Sequence, residues 1–367
     1  MDLIYNCLTQ MNTNRILVLA LSLVLAQLVA CGGGGSTPPV QPPPTPQISQ
    51  LSADLSEYVT TTLPYVQSGS EGYVVPSQIN LDRFDALLAD LLAGDTQAAL
   101  DVAAALNFEL IRLTDTGNGD NELYCLRELI LRGQGFYCVD FDSAAAHHVS
   151  APHPLYDSNT NTESVTVMRG TSARFLSVAT AHRCANSAAT VCSGTTSACG
   201  APGPYRVSDV AHNVDAFFHH FGINVHDRST TTHTLQVHGC GSTSCPSNLD
   251  DNDIVARVSA GTTMDLPGDE TVNRIKDALN AEIAPYSLGV ALSCSEPVAD
   301  KRLCGTTNPL SRYINGQADP CQNPATSFTD SRWLHIEQNR NLRVDDGAGD
   351  DITPNTLIEA INTTLGP

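Results

Sequence analysis

Apolar and polar positions change period several times along this chain, and each change marks an element. The run Leu81-Asp82-Arg83-Phe84-Asp85-Ala86-Leu87-Leu88 begins an amphipathic pattern, and Thr96 to Leu113 continues it with Ala and Leu at helical spacing. This spacing predicts that residues 49–113 are mostly helical. The period then shortens. Glu109–Thr114, Leu123–Leu131 and Gly135–Phe141 read as short strands, divided by the turn signals Gly117-Asn118-Gly119-Asp120 and Arg132-Gly133-Gln134-Gly135.

From residue 147 short apolar strands alternate with helices. Strands are expected at His147–Ala151, Phe175–Ala179, Thr234–His238, Ile254–Ser259 and Trp333–Glu337. Helices are expected at Thr162–Ala173, Asp209–Phe221, Glu270–Ile283 and Pro354–Thr364. The alternation predicts an α/β fold with a mixed, mostly parallel central sheet flanked by helices. In such sheets chemistry gathers at the carboxyl ends of the strands. Residues 49–146 then form an N-terminal helical and β-hairpin region, and residues 147–367 the core that carries any chemistry. Long loops rich in Cys, Gly and Ser (Cys184–Tyr205, Cys240–Asp253, Cys294–Asp330) read as active-site loops held by disulfides.

One apolar run is of another kind. Ile16 to Val29 follows Arg15, has the length of a signal-peptide core and is too short for a comfortable membrane span. It leads into Leu28-Val29-Ala30-Cys31, directly before Gly32-Gly33-Gly34-Gly35. That is a lipoprotein-type cleavage site. Residues 1–30 are then a signal peptide, for which Met11 serves as a start as well as Met1. The Cys31 thiol carries lipid, and residues 31–48, Gly and then mostly Pro, Thr and Gln, form an extended tether. This reading places the mature chain in the cell envelope, lipid-anchored on the periplasmic face or the outer-membrane surface. An ordinary secretory peptide with an incidental Cys is the simpler alternative.

Cysteine usage agrees with export. Of 12 Cys, Cys7 lies in the removed segment and Cys31 is the anchor, which leaves an even number for up to five disulfides. The close pairs Cys192/Cys199, Cys240/Cys245 and Cys294/Cys304 would staple loops, and Cys125/Cys138 would bridge a hairpin. No Cys-x-x-Cys pair occurs, which speaks against a structural zinc site built from thiols. The formal net charge of −20 excludes nucleic acid and anionic lipid surfaces as natural partners.

Three expected strands end in residues of one chemical kind. The first runs into Ala151-Pro152-His153-Pro154-Leu155-Tyr156-Asp157, the second is Thr234-Leu235-Gln236-Val237-His238-Gly239, and the third is Trp333-Leu334-His335-Ile336-Glu337. Two His and one carboxylate make a common catalytic zinc shell with one position left for water, and a further carboxylate outside the shell then takes the proton. His153, Asp157 and His238 can supply the shell and Glu337 the base. A strand-end His on its own is more often a hydrogen-bonded structural residue.

The pattern resembles the zinc carboxypeptidase-like superfamily, and within it the amidohydrolase branch typified by N-formylglutamate amidohydrolase and phage poly-γ-glutamate hydrolase. That family has an early strand ending in His with an acid shortly after, a later strand ending in the second His, and a late strand carrying a catalytic Glu. Leu334-His335-Ile336-Glu337-Gln338-Asn339-Arg340-Asn341-Leu342-Arg343 is the most specific piece, and Asp157 stands where a Glu is commoner. The resemblance spans about residues 147–345. It implies a mixed α/β sheet, one Zn²⁺, and hydrolysis of an amide bond near a carboxylate.

Other residues leave alternatives open. Arg183 follows another strand end, where its fork suits a substrate carboxylate or a structural ion pair. His182 lines the pocket or hydrogen-bonds a loop. Asp209 and His212, spaced i and i+3, are a competing metal pair, a supporting pair behind the shell, or the polar start of a core helix carrying Phe217, Phe218 and Phe221. Glu163 suits a helix N-terminus through the dipole alone. The acidic stretches Asp250–Asp253 and Asp345–Asp351 lack EF-hand spacing and read as solvated loops. There is no Gly-x-Ser-x-Gly elbow, P-loop or His-Glu-x-x-His. The expected function is therefore an exported, membrane-anchored zinc hydrolase acting on a peptide or acyl-amino-acid substrate. The rival from another class is a non-catalytic, disulfide-rich surface lipoprotein that binds a ligand or envelope component.

Overall fold

The computed structural model describes residues 47–241, 245, 254–297, 301–325, 328, 331–343 and 355–366. The signal segment, Cys31, most of the tether and both acidic stretches lie outside the described residues. Residues 46–367 form one compact unit.

The strands of the main sheet are β1 (Ser49–Ala53), β2 (Phe108–Asp115), β3 (Asn121–Glu128), β4 (Phe136–Val139), β5 (Ala145–Ala151), β6 (Ala173–Val178), β7 (Thr234–Gly239), β8 (Ile254–Ser259), β9 (Val290–Ser293) and β10 (Trp333–Gln338). They form one ten-stranded sheet in the order β1-β2-β3-β4-β6-β5-β7-β10-β8-β9. Five of the nine strand junctions are parallel and four antiparallel. The sheet is mixed and mostly parallel, as the alternation of elements predicts. It runs without a break across residues 146 and 147, because β4 pairs with β6.

The main helices are α1 (Gln78–Leu92), α2 (Thr96–Ala103), α3 (Thr160–Gly170), α4 (Phe217–Arg228), α5 (Thr271–Ile283), α6 (Pro309–Ile314) and α7 (Asn355–Leu365). Their starts follow local chemistry. Ser77 caps α1 and Asp95 caps α2 through side-chain oxygens on backbone N–H groups. Asn308 caps α6, which opens with Pro309 at the first helical position.

The two faces of the sheet differ. One carries Leu113, Cys138, Val149, Leu176, Leu235, Val237, Leu334 and Ile336 in a continuous apolar cluster with residues of α3, α5 and α7. The other carries Phe108, Leu110, Tyr137, Val139 and Phe175 at its N-terminal half, packed on Phe84 of α1 and Phe217 and Phe221 of α4. Beyond β6 this second face turns polar. His148, Ser150, Gln236, His238, His335 and Glu337 project from β5, β7 and β10, and all are buried. Burying polar groups costs free energy unless each finds a partner, so such a face is a place to look for function.

Three expectations need correction. Residues 49–113 are not mostly helical throughout: Ser49–Ala53 is an edge strand, and the helix begun at Thr96 ends at Ala103. A short 3₁₀ turn to Leu106 and Asn107 at φ +69° then swing the chain into β2. The Ala/Leu run satisfies both periods, and cross-strand pairing with β3 decides between them. The helix expected from Asp209 to Phe221 is split into a 3₁₀ turn (Val210–His212) and α4. Asn213 Oδ1 accepts the backbone N–H of Asp215 at 3.1 Å, a local turn that competes with helix. Finally, the disulfides are Cys125–Cys138, Cys184–Cys199, Cys192–Cys321, Cys240–Cys245 and Cys294–Cys304. Cys192 therefore reaches across the chain to Cys321 instead of closing on Cys199.

Chain entropy ranks these bridges. Cys192–Cys321 spans 129 residues and Cys240–Cys245 only 5. Loop closure puts the first at about 5 kcal/mol and the second at about 2. Replacing Cys192 and Cys321 by Ser should lower the denaturant midpoint clearly more than the same change at Cys240 and Cys245. Equal shifts would show that Cys192–Cys321 does not form.

Candidate metal centre

His153 lies two residues beyond β5, in a single helical turn. The N–H groups of Tyr156 and Asp157 both return to the His153 carbonyl, at 2.9 and 2.8 Å. That turn places His153 and Asp157 on one side despite the intervening Pro154, whose missing N–H would be unsatisfied there anyway. His238 is the last residue but one of β7, and Glu337 is its register partner on β10, one strand spacing away on the same face.

The structure brings His153, Asp157 and His238 together. One ligand atom from each lies within 4.8 Å of the others, and all three residues are buried. Asp157 Oδ2 is 3.1 Å from His238 Nδ1 and 3.5 Å from His153 Nδ1. The other nitrogen of each ring is already committed. His153 Nε2 donates to Asp209 Oδ1 at 2.8 Å, and His238 Nε2 to Gln236 Oε1 at 3.0 Å. Asn308 Nδ2 also donates to Gln236 Oε1, at 2.6 Å, which supports that orientation of the amide. With both protons on Nε2, the two Nδ1 lone pairs and a carboxylate oxygen face one another. His153 Nδ1 is a buried atom with no hydrogen-bond partner. This donor set could hold a divalent cation, which would satisfy all three groups at once.

The charges point the same way. Burial would raise the Asp157 carboxyl, but the neighbouring His153 and His238 outweigh it and hold the group well below the usual carboxylate range. Burial pushes His238 down to about 4, which keeps it neutral and able to bind a metal. Burial and Arg183 also oppose a charge on His153. The carboxylates of Asp209 and Asp157 outweigh them and raise it. Two carboxylates thus face one guanidinium around His153, a deficit of positive charge.

Among the described residues a second set is close enough for an ion: His153, Asp209 and His212. Here the geometry argues otherwise. Asp209 Oδ1 takes His153 Nε2 at 2.8 Å and His212 Nδ1 at 2.9 Å, while Oδ2 takes Arg183 Nε at 2.9 Å. A carboxylate with three donors needs no cation, and Asp209 reads as the group that orients His153 and His212. His212 is further fixed by Tyr205, whose ring stacks on it at 3.7 Å. Arg183 is held by Asp209 and lies over the Tyr156 ring at 5.1 Å. His182 accepts the Cys184 N–H at 3.0 Å through Nδ1.

Glu337 receives a hydrogen bond from His335 Nε2 at 3.1 Å. Burial would raise its carboxyl, but His335 and His238 reverse the shift and hold it below its ordinary range. His335 itself sits between His238, with ring centres 4.3 Å apart, and Trp333. A cleft of about 460 Å³ opens beside Asp157, lined by Tyr156, Ser158, Gly239, Arg340 and Arg343 among others. A larger cleft, about 620 Å³, lies at the other end of the sheet between Asp115, Asn118 and Arg169, far from these histidines.

Gln236 and His335 are not singled out by strand-end reasoning, whereas Asp209, left open as a supporting residue behind the shell, does bond His153. The missed signal is the alternation in Thr234-Leu235-Gln236-Val237-His238 and Leu334-His335-Ile336-Glu337. Strands buried on both faces ordinarily read as continuous apolar runs, so an alternating pattern there marks a polar face under cover.

No protein-family model matches the sequence, and no curated protein does. Among solved structures, the fold is similar to N-formylglutamate amidohydrolase from Ralstonia eutropha JMP134. The identity is 12%, the match covers 64% of this chain and 96% of that one, and the TM-score is 0.33. A likeness that distant transfers neither activity nor site, so the site rests on its own geometry.

Two outcomes follow. Asp209→Asn leaves His153 without its anchoring carboxylate, so Zn²⁺ affinity measured by calorimetry should fall about 10–100-fold. Glu163, buried in the first turn of α3, is pushed by burial up to about 8. Between the unfolded value of 4.5 and that value the native state holds a proton the unfolded chain lacks. Stability therefore falls as pH rises through this window, by at most about 1.4 kcal/mol per unit, and levels off above it. Glu163→Gln should flatten the decline in melting temperature between pH 5 and 8; an unchanged slope would mean Glu163 is ionised.

Proposed function

We propose that this protein is an exported, lipid-anchored, zinc-dependent hydrolase that cleaves an amide bond in a peptide or N-acyl amino acid. The observation that carries the reading is the convergence of His153, Asp157 and His238 from two segments 81 residues apart, with Glu337 beside His238 in the sheet. His153, Asp157 and His238 would hold a zinc ion, which would supply Lewis acidity and activate water at neutral pH.

The chain's own residues do the rest. Glu337, ionised and fixed through one oxygen by His335, keeps its other oxygen for the proton of the attacking water and returns that proton to the leaving amine. Asp209 and Gln236 hold the two rings in the tautomer that leaves Nδ1 unprotonated. Arg340 and Arg343 line the adjoining cleft, where positive charge suits a carboxylate-bearing substrate. Arg183, engaged by Asp209, is better placed to hold that carboxylate than to grip substrate.

Five disulfides fit an exported chain. Among the described residues no helix is long and apolar enough to cross a membrane. Lipid on Cys31 accounts for attachment in this reading.

Purified protein should contain one equivalent of zinc by elemental analysis. Glu337→Gln should keep the zinc and lose turnover of N-acyl amino-acid and peptide amides by about 10²–10⁴. Full activity in that variant would remove Glu337 from the mechanism, and a wild-type protein without metal would favour a non-catalytic binding lipoprotein. Cys31→Ser should move the protein from the membrane to the soluble fraction.

A further inference from the structure

Exposed large apolar side chains are concentrated on this molecule. Of the ten among the described residues, six fall in two segments: Val74, Val75 and Ile79, and Leu129, Ile130 and Leu131. Ile130 is 64% exposed and Leu129 56%. Three consecutive exposed apolar residues are uncommon on a soluble surface and mark a contact site.

The tip is built, not loose. Asn107 clamps it from beneath: its Nδ2 donates to the Ile130 carbonyl at 2.7 Å, its Oδ1 accepts the Ile130 N–H at 3.0 Å, and its carbonyl accepts the Leu129 N–H at 2.9 Å. The Val74 N–H donates to the Arg132 carbonyl at 3.0 Å and joins the two segments. Gly133, at φ +76°, lets the backbone pass so close to Ala181 that a Cβ there would lie 2.7 Å from the alanine methyl. A preformed apolar tip loses little conformational freedom on docking.

Its position selects the occupant. The folded unit begins at β1, and Ser49 pairs with Ile111, the fourth residue of β2, so the chain before it comes from the side of the start of β2. Ser49 Oγ bonds Glu109 at 2.5 Å, and Glu109 is paired with Arg127 at 2.7 Å, two residues before Leu129. The tether from Cys31 therefore joins the sheet at the end that carries the tip. Residues 31–48 reach about 60 Å when extended, so a lipid on Cys31 keeps the folded unit within that distance of the bilayer, with the tether attached at the tip-bearing end. The net charge of −20 rules out attraction to an anionic surface and leaves apolar contact as the means of holding on.

We propose that the Leu129-Ile130-Leu131 tip, flanked by Val74 and Val75, inserts into the headgroup–acyl boundary of the bilayer that anchors Cys31. The proposal rests on the lipid-anchor reading above. The end of β3 lies at the carboxyl ends of β5 and β6, because Phe136 of β4 pairs with Val178 and Gly133 touches Ala181, two residues from Arg183. Docking through the tip turns the metal-centre edge toward the lipid surface. The substrate is then a membrane-proximal peptide or acyl amide, not one approaching from free solution.

The test separates the tip from the anchor. Cys31→Ser protein beginning at residue 31, which carries neither lipid nor the apolar 16–29 segment, is floated with zwitterionic phosphatidylcholine vesicles. Weak binding is expected, reduced tenfold or more by Ile130→Asp and reduced by adding phosphatidylglycerol. Circular dichroism confirms that the variant folds. No binding of the Cys31→Ser protein, or binding unchanged by Ile130→Asp, would overturn the proposal. So would a wild-type dimer by sedimentation that Ile130→Asp dissociates, since the tip would then be a subunit interface. Mass spectrometry of Cys31 from membranes reports lipidation independently, so a missing anchor and an inert tip give different results.

Discussion

The buried carboxylate of Asp209 is the interaction on which the site depends. Its two oxygens hold His153, His212 and Arg183, which come from three separate segments. Burial works against an ionised group there, but Arg183, His212 and His153 keep its carboxyl well below the usual range. Removing one partner of a buried pair typically costs about 3–5 kcal/mol, because the other charge is stranded. Asp209 thus links local stability to the direction in which the free His153 nitrogen points. The same bond that organises the loops also sets the tautomer.

The sheet supplies the second constraint. One face is apolar from β2 to β10 and anchors α3, α5 and α7, so strand register is fixed there. With register fixed, His148 and Ser150 of β5, Thr234, Gln236 and His238 of β7, and His335 and Glu337 of β10 are forced onto the opposite face. A one-residue slip would bury Val237 and Ile336 in the histidine cluster and push His238 and Glu337 into the hydrophobic core. The apolar face therefore enforces the geometry of the polar one.

Much of this was legible in the sequence because strand ends are local signals. β7, β8 and β10 lie within one residue of the pattern-based boundaries, and His153, Asp157, His238 and Glu337 follow from those ends. Three disulfides between near neighbours were also legible, since short spacing is itself the signal. What escaped notice was non-local. Ser49–Ala53 becomes a strand only by pairing with β2, some sixty residues away. Cys192 pairs with Cys321 because the fold brings two distant loops together. A supporting role for Asp209 was one of the readings the sequence left open, but its pairing with His153, 56 residues away, leaves no trace in spacing.

The disulfides, most of whose cysteines are buried, bear directly on the site. Cys184 follows Arg183 directly, and Cys240 lies two residues beyond His238, so two bridges begin where site residues end. Cys294–Cys304 acts through a longer chain of contacts. The Cys304 carbonyl accepts Ser259 Oγ of β8 at 2.6 Å, which pins the loop to the polar face of the sheet. Four residues on, Asn308 caps α6 and sends its amide to Gln236, which in turn fixes His238. Each ring at the centre is thus oriented by a partner whose own position is set by a covalently closed loop or a buried ion pair. A chain that works outside the reducing cytoplasm can use cross-links in this way, holding long loops still where a larger core would otherwise be needed.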